Sequence, residues 1–103
     1  VLGRYTAGQV SEPYDLLPFI GTSPYVSEWM LCAFGRYENA CILTGAGLGG
    51  HARIGFENNH LRVDGSPASN NAELIAQAHD GAILMGRKIA TGKQARQIMQ
   101  PIW

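Results

Sequence analysis

The chain has 103 residues, 46% of them hydrophobic and 16% charged, proportions typical of a folded globular domain. Eight Lys and Arg residues balance eight Asp and Glu residues, so no excess positive charge is available to attract nucleic acid or an anionic membrane surface. No apolar run approaches the roughly 20 residues of a membrane span, and we therefore expect neither nucleic acid nor a membrane as a partner.

Strand-like and helix-like segments alternate along the chain. Val1-Leu2-Gly3 resembles the end of a buried strand, and residues 4–27 are rich in turn residues, including Pro24 and Ser27. The apolar run 29–34, closed by Gly35, is typical of a parallel strand covered on both faces. A helix is predicted over 38–48, a strand over 51–57 and a polar loop over 58–68. Two further helices follow, over 70–87 and from Thr91 onward.

Capping patterns and apolar spacing support the last two helices. Asn70 with Glu73, and Thr91 with Gln94, match the capping-box pattern. The apolar residues recur at helical spacing and are expected to face inward. They are Leu74, Ile75, Ala78, Ala82 and Met85 in the first of these helices, and Ala95, Ile98 and Met99 in the second.

The cysteines indicate the cellular compartment of the protein, and the chain ends indicate whether residues 1–103 form a whole domain. Cys32 and Cys41 lack CxxC spacing and lie in apolar runs, which is typical of reduced, packed thiols and predicts a cytoplasmic protein. The chain opens inside an apparent strand and closes on Pro101-Ile102-Trp103, which leaves two large apolar side chains at the end. We therefore expect residues 1–103 to be part of a larger domain.

The order of elements predicts an α/β fold with parallel strands. Two architectures fit this order, a doubly wound open sheet and a TIM (β/α)8 barrel. The strand over 51–57 favours the barrel, because alternation places His51, Arg53 and Glu57 on one face, and barrel strands carry functional groups at their C-terminal ends. A barrel needs about 250 residues, so this chain would supply about its last three β/α units.

One glycine motif is better explained by structure than by ligand binding. Residues 45–50 match GxGxxG, the dinucleotide-binding pattern, which should follow a strand and open a helix. Here the pattern follows a helix and precedes a strand. We interpret it as a flexible helix stop.

The charged strand carries the candidate chemistry. Residues four apart in extended geometry lie about 13 Å apart, so Arg53 and Glu57 are not expected to pair simply, although Gly55 leaves a gap along which the Arg53 side chain can extend. A carboxylate is a good Zn2+ ligand when imidazoles join it, and Asn58 and Asn59 could orient such a ligand. The alternative is that Arg53 and Glu57 belong to a structural ion-pair network.

Other cationic residues are weaker candidates. Arg36 follows the strand over 29–34 and could bind a substrate carboxylate or a coenzyme A phosphate, although a surface role is as well supported. Arg4 has the same status after the first strand. His51 begins its strand and is expected to be a core residue, and His60 could reach the site from its loop but is more simply a solvated residue.

The run Gly-Gly-His-Ala-Arg-Ile-Gly-Phe-Glu-Asn-Asn, residues 49–59, resembles the C-terminal signature of the β-keto acid cleavage enzymes. The segments 29–36, 69–74 and 86–96 resemble the strand and helices that flank this signature in the family. The resemblance covers nearly the whole chain, with its matches in order and at matching spacing.

This resemblance implies a zinc-dependent (β/α)8 barrel that acts in amino-acid catabolism. It also implies a homo-oligomer, such as a tetramer. Such enzymes condense a β-keto acid with acetyl-CoA and release acetoacetate and a new acyl-CoA. Glu57 matches the zinc-binding glutamate, and Arg53 matches an arginine that supports a catalytic base located upstream. The His-x-His pair that completes the zinc site in the family does not occur in this sequence.

The sequence departs from the family pattern at one position. An acidic partner of the arginine usually follows the zinc-binding glutamate, and Asn58 stands there instead. An amide cannot neutralise a guanidinium, so we expect the fold and zinc to be retained and the substrate preference or rate to change. A metal-dependent barrel aldolase or hydrolase without coenzyme A, and a non-catalytic binding module, are the alternative functions.

Overall fold

The computed structural model describes residues 1–22, except the Thr22 side chain, and residues 28–100. The predicted turn residues Pro24 and Ser27 and the terminal Pro101-Ile102-Trp103 lie outside the described residues. The helices of the described part are a 3₁₀ helix (Pro13–Leu16), α1 (Leu17–Thr22), α2 (Glu38–Gly47), α3 (Asn71–Leu84) and α4 (Gly92–Met99), and its strands are β1 (Met30–Leu31) and β2 (His51–Ala52).

Three extended segments lie side by side and run in the same direction. β1 pairs in parallel with β2, with Met30 opposite His51. On the other side of β1, Leu2 forms a parallel bridge with Ala33, and its N–H donates to the Cys32 carbonyl at 2.9 Å. A parallel pair needs a crossover connection, which α2 supplies between β1 and β2. The predicted α/β class is confirmed.

The core lies between this small sheet and helix α2. Leu31, Cys32, Ala33 and Phe34 are all buried, whereas Met30 is 55% exposed. The prediction of a segment covered on both faces is therefore confirmed for residues 31–34 and wrong at Met30. Leu2, Leu16, Leu31, Ala33, Cys41, Ile42 and Ala78 form one cluster, and Trp29 and Ile54 pack against it.

Both cysteines are free and buried, as expected for packed thiols. Burial, together with the nearby carboxylates of Asp15, Glu12 and Glu38, raises the pKa of the Cys41 thiol to about 11. Because the thiolate is the reactive form of cysteine, this thiol is unreactive as a nucleophile at neutral pH.

The N-terminal caps of α3 and α4 match the sequence prediction more closely than the C-terminal end of α3 does. In α3 the Asn70 side chain accepts from the Glu73 N–H at 3.0 Å, but the Glu73 carboxylate accepts from the Ser69 N–H rather than from that of Asn70, so the predicted capping box is only half formed. The helix ends at Leu84 rather than at Arg87, because Gly86 adopts a left-handed conformation with φ of +82°. The predicted box of Thr91 and Gln94 at the start of α4 is complete.

The predicted apolar faces are only partly covered. Leu74, Ala78 and Ala82 of α3 are buried, whereas Ile75 and Met85 are about half exposed. In α4, Ala95 and Ile98 are half-buried and Met99 is exposed. The outer sides of both helices therefore present apolar surface to solvent.

The stretch predicted as turns contains two helical elements. Pro13 occupies the first position of the 3₁₀ helix, where its missing N–H costs nothing. The Asp15 carboxylate accepts from the Glu12 N–H at 2.9 Å, and α1 follows directly. Glycines and prolines suggested loops here, but one of these prolines begins a helix.

The strand predicted over 51–57 is much shorter than expected. β2 ends at Ala52, although the Arg53 N–H still donates to the Leu31 carbonyl at 2.9 Å. The chain then turns at Gly55, whose φ is +152°, and the Gly55 carbonyl accepts from the N–H groups of Asn58 and Asn59, both at 3.0 Å. Glu57 consequently lies in a turn beyond the strand, which we call the Gly55–Asn59 turn.

The GxGxxG segment ends α2 and leads into β2, as the interpretation of a helix stop requires. Packing against Trp29 requires a glycine at position 50, because a Cβ at this position would lie 2.5 Å from the Trp29 ring. Within the described residues, no helix combines the length and apolar character needed to cross a bilayer.

Candidate active site

The ends of the three parallel segments meet at one edge of the sheet. Tyr5 follows the first segment, Gly35 follows β1, and the Gly55–Asn59 turn follows β2. The Tyr5 ring packs edge-on against Phe34, with ring centres 4.9 Å apart, and the Gly35 N–H donates to the Asn58 carbonyl at 3.4 Å. Parallel strands place their C-terminal ends together, and ligand sites of α/β proteins form at such ends.

Arg53 and Glu57 form an ion pair at this edge through Nη2 and Oε2. The expectation that they would be too far apart to pair was wrong, because the turn at Gly55 replaces the extended geometry on which it rested. The hydrogen bond from Arg53 to Glu57 and the charge of Glu57 raise the pKa of Arg53, so the guanidinium stays charged. The Glu57 side chain is 65% exposed.

Tyr5 connects Glu57 to Asn58. Its hydroxyl lies 3.5 Å from Glu57 Oε1, to which it donates, and it accepts from Asn58 Nδ2 at 3.4 Å. Asn58 is 8% exposed, so its amide has a defined orientation. Sequence reasoning missed Tyr5, because it lies more than 50 positions from both partners and belongs to no local motif.

Asn59 has different hydrogen-bond partners from Asn58. Its Nδ2 donates to Glu38 Oε1 at 3.1 Å and to the Leu61 carbonyl at 2.7 Å, so its amide points into the interior rather than toward Glu57. The prediction that both asparagines orient a ligand therefore fits the placement of Asn58 only.

Glu38, the first residue of α2, was also missed by sequence reasoning. A glutamate in the first turn of a helix is ordinarily a solvated partner of the helix dipole, and no sequence signal marks this one as buried. It is 2% exposed. Burial raises the pKa of Glu38, and hydrogen bonds from Asn59 and Gly55 offset part of that effect.

The remaining candidate cations lie around this edge without joining the ion pair. The Arg36 guanidinium lies 4.8 Å from the centre of the Tyr37 ring and donates to the Tyr37 hydroxyl at 3.1 Å. Arg36 is exposed, and a guanidinium has five N–H donors, so it keeps donors for an anion. Arg4 is likewise exposed.

The two candidate histidines have local partners. His51 Nε2 lies 2.6 Å from the Glu28 carboxylate. The residue is only half-buried, so the expected core position is not confirmed, and His51 instead pairs with an exposed glutamate. His60 Nε2 lies 2.8 Å from the Phe56 carbonyl, and its ring packs on Phe56 with centres 4.9 Å apart. Hydrogen bonding to the backbone holds His60 beside the turn rather than at the carboxylate of Glu57.

Glu57 fits the part of a single metal ligand. A carboxylate has about four lone-pair positions, so Glu57 can accept from Arg53 and still bind a cation. Across residues 1–22 and 28–100 no group of three or more His, Cys, Asp or Glu side chains is placed to hold a metal ion. A metal site that joins Glu57 to two or more such side chains would thus need ligands from outside the described residues.

A separate groove of about 770 Å³ lies between β2 and helices α2, α3 and α4. Its lining includes apolar residues such as Ile42, Ile54 and Ile98, and the cations Arg87 and Lys88. Arg87 donates to the carbonyls of Ala46 and Gly50 at 2.9 and 2.8 Å, which ties α3 to the end of α2. The lining includes neither Arg53 nor Glu57, so the groove is distinct from the edge that carries them.

Comparison with known proteins decides the family. A model of the beta-keto acid cleavage enzyme family matches residues 1–100. The chain belongs to this family. Among β-keto acid cleavage enzymes, it is 36% identical to 3-keto-5-aminohexanoate cleavage enzyme of Acetoanaerobium sticklandii over 92 residues, which cover 89% of the chain and 34% of that relative.

A second relative with the same name, from Fusobacterium nucleatum, is 35% identical over 85 residues, which cover 82% of the chain and 31% of the relative. The chain therefore spans about a third of the length of the β-keto acid cleavage enzymes that it matches. The resemblance recognised in the sequence is confirmed at the level of the family.

Proposed function

We propose that the full-length protein is a zinc-dependent enzyme that condenses a β-keto acid with acetyl-CoA and releases acetoacetate and a new acyl-CoA. Family membership supports the β-keto acid as substrate class. The observation that carries the proposal is the exposed Glu57 carboxylate, which lies beyond a parallel strand and is paired with Arg53.

The architecture in this proposal is a (β/α)8 barrel, to which residues 1–103 contribute the last three β/α units. Three parallel segments in sequential order, with α2 crossing between β1 and β2, support it. So does the share of the relatives' length that the chain covers, which is about that of three units in eight.

The exposure of the ion pair favours a functional role over a structural one. Arg53 and Glu57 side chains are 44% and 65% exposed, and ion pairs so open to water contribute little to stability. A structural brace would be expected to be buried with both carboxylate oxygens hydrogen-bonded, as Glu38 is.

Each residue at the edge has a role in the proposal. Glu57 would serve as the oxygen ligand of zinc, and bound zinc would act as a Lewis acid toward the keto oxygen of the substrate. Arg53 holds the Glu57 carboxylate and presents positive charge to an anionic substrate. Asn58, through Tyr5, fixes the face of that carboxylate opposite Arg53.

Arg36 has a proposed role in binding the co-substrate. It is exposed at the end of β1 and keeps free N–H donors beside Tyr37, which suits a coenzyme A phosphate or a substrate carboxylate. A homo-oligomer, such as a tetramer, and a cytoplasmic location complete the proposal.

The test is metal analysis combined with an assay. The full-length protein, purified without chelators, is expected to contain about one zinc per chain, and Glu57→Ala is expected to lose both the metal and acetoacetate release. Glu28→Ala removes an exposed carboxylate that pairs with His51 at the opposite end of β2 and should retain both. Absence of zinc, with Glu57→Ala equal to wild type, would favour a binding module, and acetoacetate release without acetyl-CoA would favour an aldolase or hydrolase.

A further inference from the structure

Glu38 lies beneath the turn that carries Glu57 and Asn58. It is 2% exposed, and a carboxylate buried to that extent is costly unless hydrogen bonds compensate it. Two donors do so, the Gly55 N–H to Oε2 at 3.3 Å and Asn59 Nδ2 to Oε1 at 3.1 Å. The two donors belong to the first and last residues of the Gly55–Asn59 turn.

Asn59 transmits this restraint further along the chain. It is 4% exposed, its Oδ1 accepts from the Leu61 N–H at 2.9 Å, and its Nδ2 donates to the Leu61 carbonyl as well as to Glu38. A single buried carboxylate therefore holds the start of the turn by its backbone and the end by a side chain that is itself fixed.

We propose that Glu38 is a positioning residue that sets the conformation of the Gly55–Asn59 turn and thereby the placement of Glu57 and Asn58. The part of this inference that concerns zinc and substrate rests on the proposed function. The part that concerns the turn does not, because it follows from contacts within the chain.

A carboxylate suits this position better than an amide. An ionised carboxylate has only acceptors and satisfies both donors together, whereas a glutamine has one oxygen and one NH2 group. In Glu38→Gln the NH2 group would face either the Gly55 N–H or the Asn59 amide, and one buried donor would lose its partner.

The first measurement is hydrogen exchange in metal-free full-length protein. Glu38→Gln is expected to speed exchange of the amides of Asn58 and Asn59, which bond to the Gly55 carbonyl, by about tenfold or more. Exchange within α3 should be unchanged, which establishes that the variant is folded. Asp80→Asn, the same change at an exposed position of α3, is the control and should match wild type.

Equal exchange at the turn in wild type and Glu38→Gln would overturn the inference. Should Glu38→Gln fail to fold, Asn59→Ala decides, since it removes one of the two attachments and keeps the carboxylate. Faster exchange confined to the turn supports the restraint, and unchanged exchange overturns it.

The second measurement is zinc affinity by competition with a chelator. Residues that orient a metal ligand typically change metal affinity by about 10 to 100-fold when altered, so we expect Glu38→Gln to weaken zinc binding by about tenfold, with Asp80→Asn unchanged. Zinc binding that depends on Glu57 but is equal in wild type and Glu38→Gln would overturn the positioning role alone. A wild type that binds no zinc would defeat the proposed function, and the exchange experiment would still decide the role of Glu38 in the turn.

Discussion

Asn58 determines the direction of hydrogen bonding at the candidate site. Its Nδ2 can only donate, so the Tyr5 hydroxyl accepts from it and directs its own proton toward Glu57 Oε1. An aspartate in this position would accept from Tyr5 and compete with Glu57 for that proton. The amide therefore leaves the positive charge of Arg53 balanced by one carboxylate rather than two.

Asn58→Asp tests this arrangement by adding the missing carboxylate. We expect kcat or KM to change several-fold for at least one β-keto acid, because the second carboxylate would offset the positive charge of Arg53 that an anionic substrate meets. Steady-state assays over a panel of β-keto acids measure the change. Asn70→Asp, which exchanges one good helix cap for another, is the matched control, and an Asn58→Asp profile identical to wild type would contradict the prediction.

Glu38 makes a prediction about pH. Because folding raises the pKa of Glu38 above its usual value near 4.5, the folded state binds the proton more tightly than the unfolded state. Its contribution to stability is complete below about pH 4.5 and is lost as pH rises through the raised pKa. Glu38→Gln cannot titrate, so the free energy of unfolding of wild type relative to this variant should fall as pH rises.

Urea unfolding of both proteins between about pH 4 and 8 measures this difference. Asp80→Asn, at an exposed position, serves again as the control and should give no comparable trend. A difference between wild type and Glu38→Gln that stays constant with pH would contradict the assigned cause of the shift.

At the scale of elements, the sequence predicted helices better than strands. The caps at Asn70 and Thr91 were predicted because capping residues act locally. The start of α2 at Glu38 was predicted as well, although no side chain caps that helix. The strand over 51–57 was extended too far, because alternation of polar and apolar residues continues through Gly55 although the backbone turns there. The helical character of residues 13–22 was missed because proline was read as a breaker.

Glycine in the GxGxxG segment supplies a test at the junction of α2 and β2. A Cβ at Gly50 would lie 2.5 Å from the Trp29 ring, and overpacking of this kind costs about 1 to 3 kcal/mol. Gly50→Ala should lower the free energy of unfolding by that amount, as measured by urea denaturation. Gly21→Ala in α1, where a Cβ meets nothing within 4 Å, should not destabilise, and an equally stable Gly50→Ala would contradict the packing role.

At the scale of the whole molecule, local sequence patterns predicted where the site lies but not which distant residues contact each other there. Sequence reasoning placed Glu57, Arg53 and Asn58 at a sheet edge, since parallel strands bring their C-terminal ends together. The contacts that define the site join Tyr5 to Glu57 across 52 positions and Asn59 to Glu38 across 21. Such contacts depend on how whole segments pack together. The spacing of residues along one segment carries no information about that packing.

Large apolar side chains remain exposed over much of the described surface. They include Val1, Val10, Leu17, Ile83 and Leu84. Within the described residues, β2 pairs with β1 alone, so its other edge presents backbone groups to solvent. Open strand edges beside apolar surface promote association between chains.

Residues 1–103 expressed alone are therefore expected to self-associate in a concentration-dependent manner, which size-exclusion chromatography with light scattering measures. Ala52→Lys places a charge on the open edge of β2 and should reduce the association, because edge lysines oppose strand pairing. Ala72→Lys adds the same charge at an exposed position of α3 and should have no such effect. A monomer at every concentration would contradict the prediction. Equal association of the two lysine variants would show that the chains associate through the exposed apolar side chains rather than through the β2 edge.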